Sequence, residues 1–212
     1  MSEHTDDHSP GLLDRPRPHL AVATAVLTVF ESELCVALVS SGTQWRLPGT
    51  LVREGETLAD AVRRCLRDKA GINGLTPTQL HVFDAPGRDS RGWVVSVAHL
   101  VMVPPESLTG VAVEPVNQAR GLAFDHDEII DRALARVRSD YADTPDPAGV
   151  LGDEFTLREL QRLHEAVAGG PLMRDTFRRS MESRLAATGN RRTGGVGKPA
   201  RLFRRIGRGS GG

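Results

Sequence analysis

Leu47–Ile72 reads LPGTLVREGETLADAVRRCLRDKAGI, and this stretch decides the fold. Leu58, Ala61, Val62, Cys65 and Leu66 recur at i, i+3, i+4, i+7 and i+8, the apolar stripe of an amphipathic helix. Thr57 is suited to cap it, since a threonine hydroxyl accepts from the first free backbone amides. The spacing therefore predicts a helix over 57–70. An ordinary amphipathic helix accounts for the stripe. It does not account for Leu-Pro-Gly ahead of the loop, for Gly55-Glu56 within it, or for Arg64 and Gly71-Ile72 further on.

Those remaining residues resemble a Nudix box, G-x5-E-x7-R-E-U-x-E-E-x-G-U with U aliphatic. Glu56, Arg64, Leu66, Gly71 and Ile72 fit the pattern. Four positions depart from it. Thr50 stands for the opening Gly, and Cys65, Asp68 and Lys69 stand at the Mg²⁺-binding glutamates. Positions 65, 68 and 69 share one helical face, where carboxylates would bind a hard cation through oxygen. Such a cation would neutralise pyrophosphate charge and help make a nucleophile of water. Cysteine sulfur is a soft ligand unsuited to Mg²⁺, and Lys69 adds positive charge where the metal would sit. Asp68 alone makes a weak site. A hydrolase frame without its metal ligands reads as a binding domain.

The rest of the chain suggests what that binding controls. Apolar content of 39% and charged content of 25% are ordinary for a globular protein of 212 residues. The formal charge of zero hides an asymmetry: residues 151–212 carry 13 Lys and Arg against 6 Asp and Glu, and residues 1–150 carry 14 against 21. A basic segment on an acidic body points to a polyanionic partner, although charge alone also allows a solvated basic face. Cys35 and Cys65 make no C-x-x-C, which suits a reducing cytosol. The acidic start MSEHTDDHSP is no secretory signal, and no apolar run approaches the roughly 18 residues of a membrane span. A cytoplasmic, nucleoid-associated protein without a membrane partner is expected.

Residues 1–18 read as a disordered tail. HLAVATAVLTVF (19–30) and ELCVALVS (33–40) read as strands joined by a turn at Glu31-Ser32, and Leu80–Asp84 and Trp93–Val103 as two more. Asp127–Tyr141 reads as a helix with Ile129, Ile130, Ala133, Leu134 and Val137 on one face. TPDPAG (144–149) is the clearest linker. Beyond it, Thr156 and Glu159 form a capping box opening a helix that Gly169-Gly170-Pro171 stops. A second helix spans about 173–184, with Leu172, Phe177, Met181 and Leu185 facing inward and its arginines outward. Gly-rich residues 193–197 suit a hairpin tip, flanked by Arg191, Arg192, Lys198, Arg201, Arg204 and Arg205. Two short helices and a basic hairpin fit a winged helix-turn-helix, whose second helix enters the major groove while the wing meets phosphate or the minor groove. A helical dimerisation tail is the alternative. The expected division is a tail 1–18, an α+β Nudix-like sandwich 19–143, a linker 144–150, a winged domain 151–206 and a flexible tail 207–212.

From about residue 19 onward the chain resembles the NrtR family, Nudix-related transcriptional regulators of NAD metabolism. RDSRGWVVSVA (88–98) and LAFDHDEI (122–129) carry this beside the box. FTLRELQRLHE (155–165), Phe177-Arg178-Arg179, and Gly197-Lys198-Pro199-Ala200 with Leu202-Phe203 carry it in the C-terminal half. Ser90 stands where related runs have Pro, and Lys198 where the family commonly has Arg. The resemblance implies a Nudix domain that binds ADP-ribose or a related nucleotide without turning it over, with no cofactor required. It also implies a homodimer on a palindromic double-stranded operator, repressing NAD synthesis or salvage genes.

Candidate site residues follow. Arg46, Arg88 and Arg91 suit a pyrophosphate, because guanidinium groups bind such oxygens bidentately. For any one of them, solvent exposure is an equal reading. Glu56 and Arg64 belong to the same candidate ligand site, the pair reading more as a clamp of loop to helix than as ligand contacts. Trp45 and Trp93 could stack on adenine but more often such residues are core or interface. His99 reads as a packed strand histidine, and His126 as part of a helix start. On DNA the candidates are Arg174, Thr176, Arg178, Arg179, Arg191, Arg192 and Lys198. No catalytic or metal-binding residue is expected. The rival readings are a Nudix pyrophosphatase with a nonstandard metal site, and an RNA-binding or scaffold protein. No aromatic-rich sheet surface for stacking bases favours RNA.

Overall fold

The computed structural model describes residues 15–192 and 199–206. Residues 1–14, the expected hairpin tip at 193–197, Lys198 and the tail 207–212 lie outside them.

The sheet is built on β1 (His19–Phe30), whose β-branched run is buried on both faces. Side chains alternate along a strand. Ala23, Ala25 and Leu27 therefore enter one core, while Val22 and Val26 enter another. The turn to β2 (Glu33–Ser41) holds Glu31 and Ser32 at φ 49° and 69°. Two left-handed residues make the tight connection whose twist suits a two-residue hairpin. The sheet order is β3 (Gln44–Arg46), β2, β1, β6 (Val94–Met102), β5 (Thr78–Phe83). β4 (Gly49–Leu51) pairs with β1, and β7 (Ala112–Pro115) with β2. β1 and β6 run parallel, the other pairs antiparallel. The short strands β3, β4 and β7 carry too few residues for a sequence pattern; pairing to long neighbours defines them.

α1 (Leu58–Ala70) covers one face with Ala61, Val62, Cys65 and Leu66 buried. Thr57 caps it, its hydroxyl accepting from Asp60 N–H, and Gly71 ends it in the left-handed region at φ 66°. α2 (His126–Asp143) covers the other face with the apolar stripe read from the sequence, and runs one residue earlier and two later than expected.

α3 (Leu157–Ala168) opens on the capping box at Thr156 and Glu159 and stops at Gly169. α4 (Arg174–Glu182) buries Phe177 and Met181. β8 (Leu185–Arg192) and β9 (Ala200–Arg205) form the hairpin. Phe155, Leu160, Phe177, Met181, Leu185 and Phe203 make the small core of this winged helix unit. α3 also presents Leu163 and Val167 to the core that holds Leu34, Val36 and Ile130, so a continuous apolar layer passes from the sheet into the winged unit.

The stretch read as a linker is a packed joint. Asp146, at φ 45°, is fully buried and accepts from Tyr141 O–H, from the amides of Val150 and Leu151, and from the Arg205 guanidinium. One carboxylate thus ties the end of α2 to the second strand of the wing. Arg205, expected on the basic flank, is committed here and to Gly152 O.

Candidate effector cleft and nucleic-acid face

The Leu-Pro-Gly turn forms the floor of a cleft of about 310 Å³. Pro48 O accepts from Thr24 N–H, and Leu47 N–H donates to His126 Nδ1 at 3.0 Å. Gly49 suits the close approach of this turn to β1: a Cβ there would stand 3.0 Å from Val22 O. Burial pushes the imidazole of His126 down to about 4, which keeps Nδ1 an acceptor at neutral pH. From its local pattern His126 reads only as part of a helix start; its grip on the turn depends on a contact between residues 79 apart.

Arg46, Arg88 and Arg91 all line this cleft. Arg88 is nearly buried and grips Asp125 through Nε at 2.7 Å and through Nη2. Arg91 grips Asp89 through its amide, Nε and Nη2, and its guanidinium lies 5.1 Å from the Phe124 ring. Those Arg91 hydrogen bonds hold the Asp89 carboxyl down at about 2. Phe124 is held at φ 61° on the cleft wall, an unusual conformation for a bulky residue. Arg46 Nε is buried and, among the described residues, has no hydrogen-bond partner.

Glu56 and Arg64 stand beside the cleft. Arg64 holds both Glu56 oxygens at 2.7 Å and also donates to Leu51 O at 3.0 Å, bracing β4 against α1. Arg64 hydrogen bonds lower the Glu56 carboxyl to about 2. Neither residue lines the cleft.

The donor set of the Nudix metal position does not suit a divalent cation. Cys65 is buried, and burial pushes its thiol up, away from the thiolate a metal needs. Asp68 is exposed and paired with Arg67 at 2.9 Å. Lys69 turns its ammonium onto Gly49 O at 2.5 Å and joins the cleft lining. Among the described residues no group of three or more His, Cys, Asp and Glu could hold a metal.

Trp45 and Trp93 are not core residues: they are 48% and 56% exposed. Each sits at a strand margin, Trp45 in the three-residue β3 and Trp93 just ahead of β6, where the sheet offers no cover. His99 is packed, its Nδ1 3.0 Å from Val97 O.

On the winged unit, Arg174, Thr176, Arg178 and Arg179 are exposed along α4. Arg178 pairs with Glu182 at 3.2 Å, and Arg179 Nε donates to Asp175 O. Arg191 is exposed on β8, and Arg192 bonds Glu159 and Glu154 O. Arg201 stacks over Phe203. Helix and hairpin therefore place these cations on one unit, two of them, Arg178 and Arg192, held by carboxylates that a phosphate could replace.

Residues 18–143 match the Nudix domain family, and residues 147–205 match the NrtR DNA-binding winged helix domain. The chain is 28% identical, over 90% of its length and 83% of the relative's, to the ADPR responsive transcriptional repressor NtrR of Acinetobacter baylyi. It superposes on Shewanella oneidensis NrtR complexed with a 27mer DNA with a TM-score of 0.75 and 30% identity, covering 88% of this chain and 93% of that one. The Nudix domain of Shewanella oneidensis NrtR complexed with ADP ribose aligns with a TM-score of 0.53 and 26% identity, covering 65% of this chain and 99% of that one.

Proposed function

This chain belongs to the NrtR family, a Nudix domain followed by the NrtR winged helix domain, and we propose that it is a DNA-binding repressor released by ADP-ribose or a closely related nucleotide. The observation that carries this reading is the cleft itself. It gathers Arg88, Arg91 and Arg46, whose buried Nε–H has no partner among the described residues, in a chain whose metal-binding positions hold Cys65, Asp68 and Lys69. Such a site binds a pyrophosphate and lacks the carboxylates that would help water attack it. The domain is therefore a sensor and not a hydrolase. α4 and the β8–β9 wing read DNA, with Arg174, Thr176, Arg178, Arg179, Arg191, Arg192 and Lys198 as contacts. Two copies meet a palindromic operator, their wings set about 34 Å apart for half-sites one DNA turn apart. The regulated genes are those of NAD synthesis or salvage. Among the described residues no helix is long and apolar enough to cross a membrane.

A mobility shift with the promoters of its own gene and of NAD genes tests the reading. The expected result is a retarded complex that ADP-ribose dissolves. Robust ADP-ribose hydrolysis with Mg²⁺ or Mn²⁺, lost in Asp68→Ala, would instead make the protein a pyrophosphatase with a nonstandard metal site.

A further inference from the structure

The charges of the cleft do not balance, and the imbalance falls on two groups. Arg88 is neutralised by Asp125 and Arg91 by Asp89. Arg46 and Lys69 have no carboxylate partner among the described residues. Lys69 descends from α1 at the position where the Nudix pattern places a metal-binding glutamate, and its ammonium reaches the backbone of the Leu-Pro-Gly turn at Gly49 O. An ammonium has three donors, and Gly49 takes one.

We propose that Lys69 is a built-in replacement for the divalent cation, so that the cleft takes the metal-free pyrophosphate diester through the ammonium of Lys69 and the guanidinium of Arg46. This inference rests on the reading of the cleft as a nucleotide site and adds the form in which the nucleotide enters. A pyrophosphate diester carries a double negative charge, which the two unbalanced cations match. The same diester already complexed to Mg²⁺ is neutral, gains little from them, and would bring its cation against Lys69. Partial burial and the neighbouring arginines Arg46, Arg64 and Arg91 hold the ammonium below its ordinary value, which is the strain an arriving anion relieves. A hard-cation site has in effect been exchanged for a covalently attached cation, which needs no metal in solution but can make no hydroxide from water.

Calorimetric titration of the full-length protein tests this, with ADP-ribose in EDTA and in Mg²⁺, and with inorganic pyrophosphate in EDTA as a second probe. ADP-ribose should bind in chelator at least as tightly as in Mg²⁺. Lys69→Met should weaken binding in chelator by about tenfold or more, the loss of a charge-assisted hydrogen bond. Lys69→Arg should keep most of the affinity. Lys69→Gln retains a donor for Gly49 O without the charge, so it separates lost structure from lost charge and should bind as poorly as Lys69→Met. Binding of both probes that requires added Mg²⁺, or Lys69→Gln binding as the parent does, would overturn the proposal. Lys69-dependent binding of pyrophosphate in EDTA without any binding of ADP-ribose would sustain it and sink the nucleotide reading instead.

Discussion

His126 shows how much can hang on one ring nitrogen. Its Nδ1 must be unprotonated to accept from Leu47 N–H, and that bond sets the turn which floors the cleft. Burial depresses the imidazole to about 4, and His164 is depressed to about 4 for the same first reason. The unfolded chain titrates each near 6.5, so on acidification it takes up the proton first. Stability should therefore fall as pH falls from about 6.5 to about 4, the window between unfolded and folded values. His126→Gln keeps an acceptor for Leu47 and removes one titration. Thermal unfolding against pH should then show a shallower slope, with His164 and His99, whose burial also lowers its imidazole, supplying the rest. Glu56 and Asp89, both held down at about 2, contribute stability that is present above the ordinary carboxylate range and is lost as pH falls toward 2. Their loss should appear as a second, more acidic decline in the same series. An unchanged slope in His126→Gln would mean that the ring is not the group being titrated.

Along α4 and the wing the question is which cations read bases and which hold phosphate. Operator binding should be steep in salt: if about six phosphates are neutralised, log K falls against log salt with slope near −5. Arg191→Ala should weaken all sequences alike and flatten that slope. Arg178→Ala should relax base preference by about 1–3 kcal/mol if it contacts guanine. Arg178 rests on Glu182, so Glu182→Ala should raise affinity by releasing it, a change read in the same titrations. The helices behind this division were legible because each carries its own signals: the stripe and caps of α1, the capping box and glycine stop of α3, the apolar face of α2. The cleft was half legible. Three arginines could be picked by chemistry, but their meeting depends on the strand order. Lys69 as a lining residue, Phe124 in its left-handed pose and His126 on Leu47 depend on contacts between distant segments that no local pattern announces. For the two tryptophans only the core alternative falls, because size argues for burial only where a neighbouring element offers cover.

At the scale of the whole molecule, the joint at Asp146 links pocket and reader. α2 starts beside the cleft at His126 and ends on Tyr141, whose hydroxyl meets Asp146, which in turn holds Arg205 of the wing. Arg205→Ala leaves a buried carboxylate without its cation and should cost on the order of 3 kcal/mol of stability. It should also narrow the effect of ADP-ribose on operator affinity, because the wing is no longer fastened to α2. In the parent, coupling is reciprocal: operator DNA must weaken ADP-ribose binding by the same factor as ADP-ribose weakens operator binding. Calorimetric titration with and without operator measures it, and equal affinities would remove ADP-ribose as the regulator. The apolar layer that Leu163 and Val167 of α3 share with the sheet has a consequence of another kind. A descendant that shed its reading half would keep its cleft but gain a new surface. It would bare a strip of aliphatic side chains on β1, β2 and α2, an exposed apolar patch of the kind that favours association between copies.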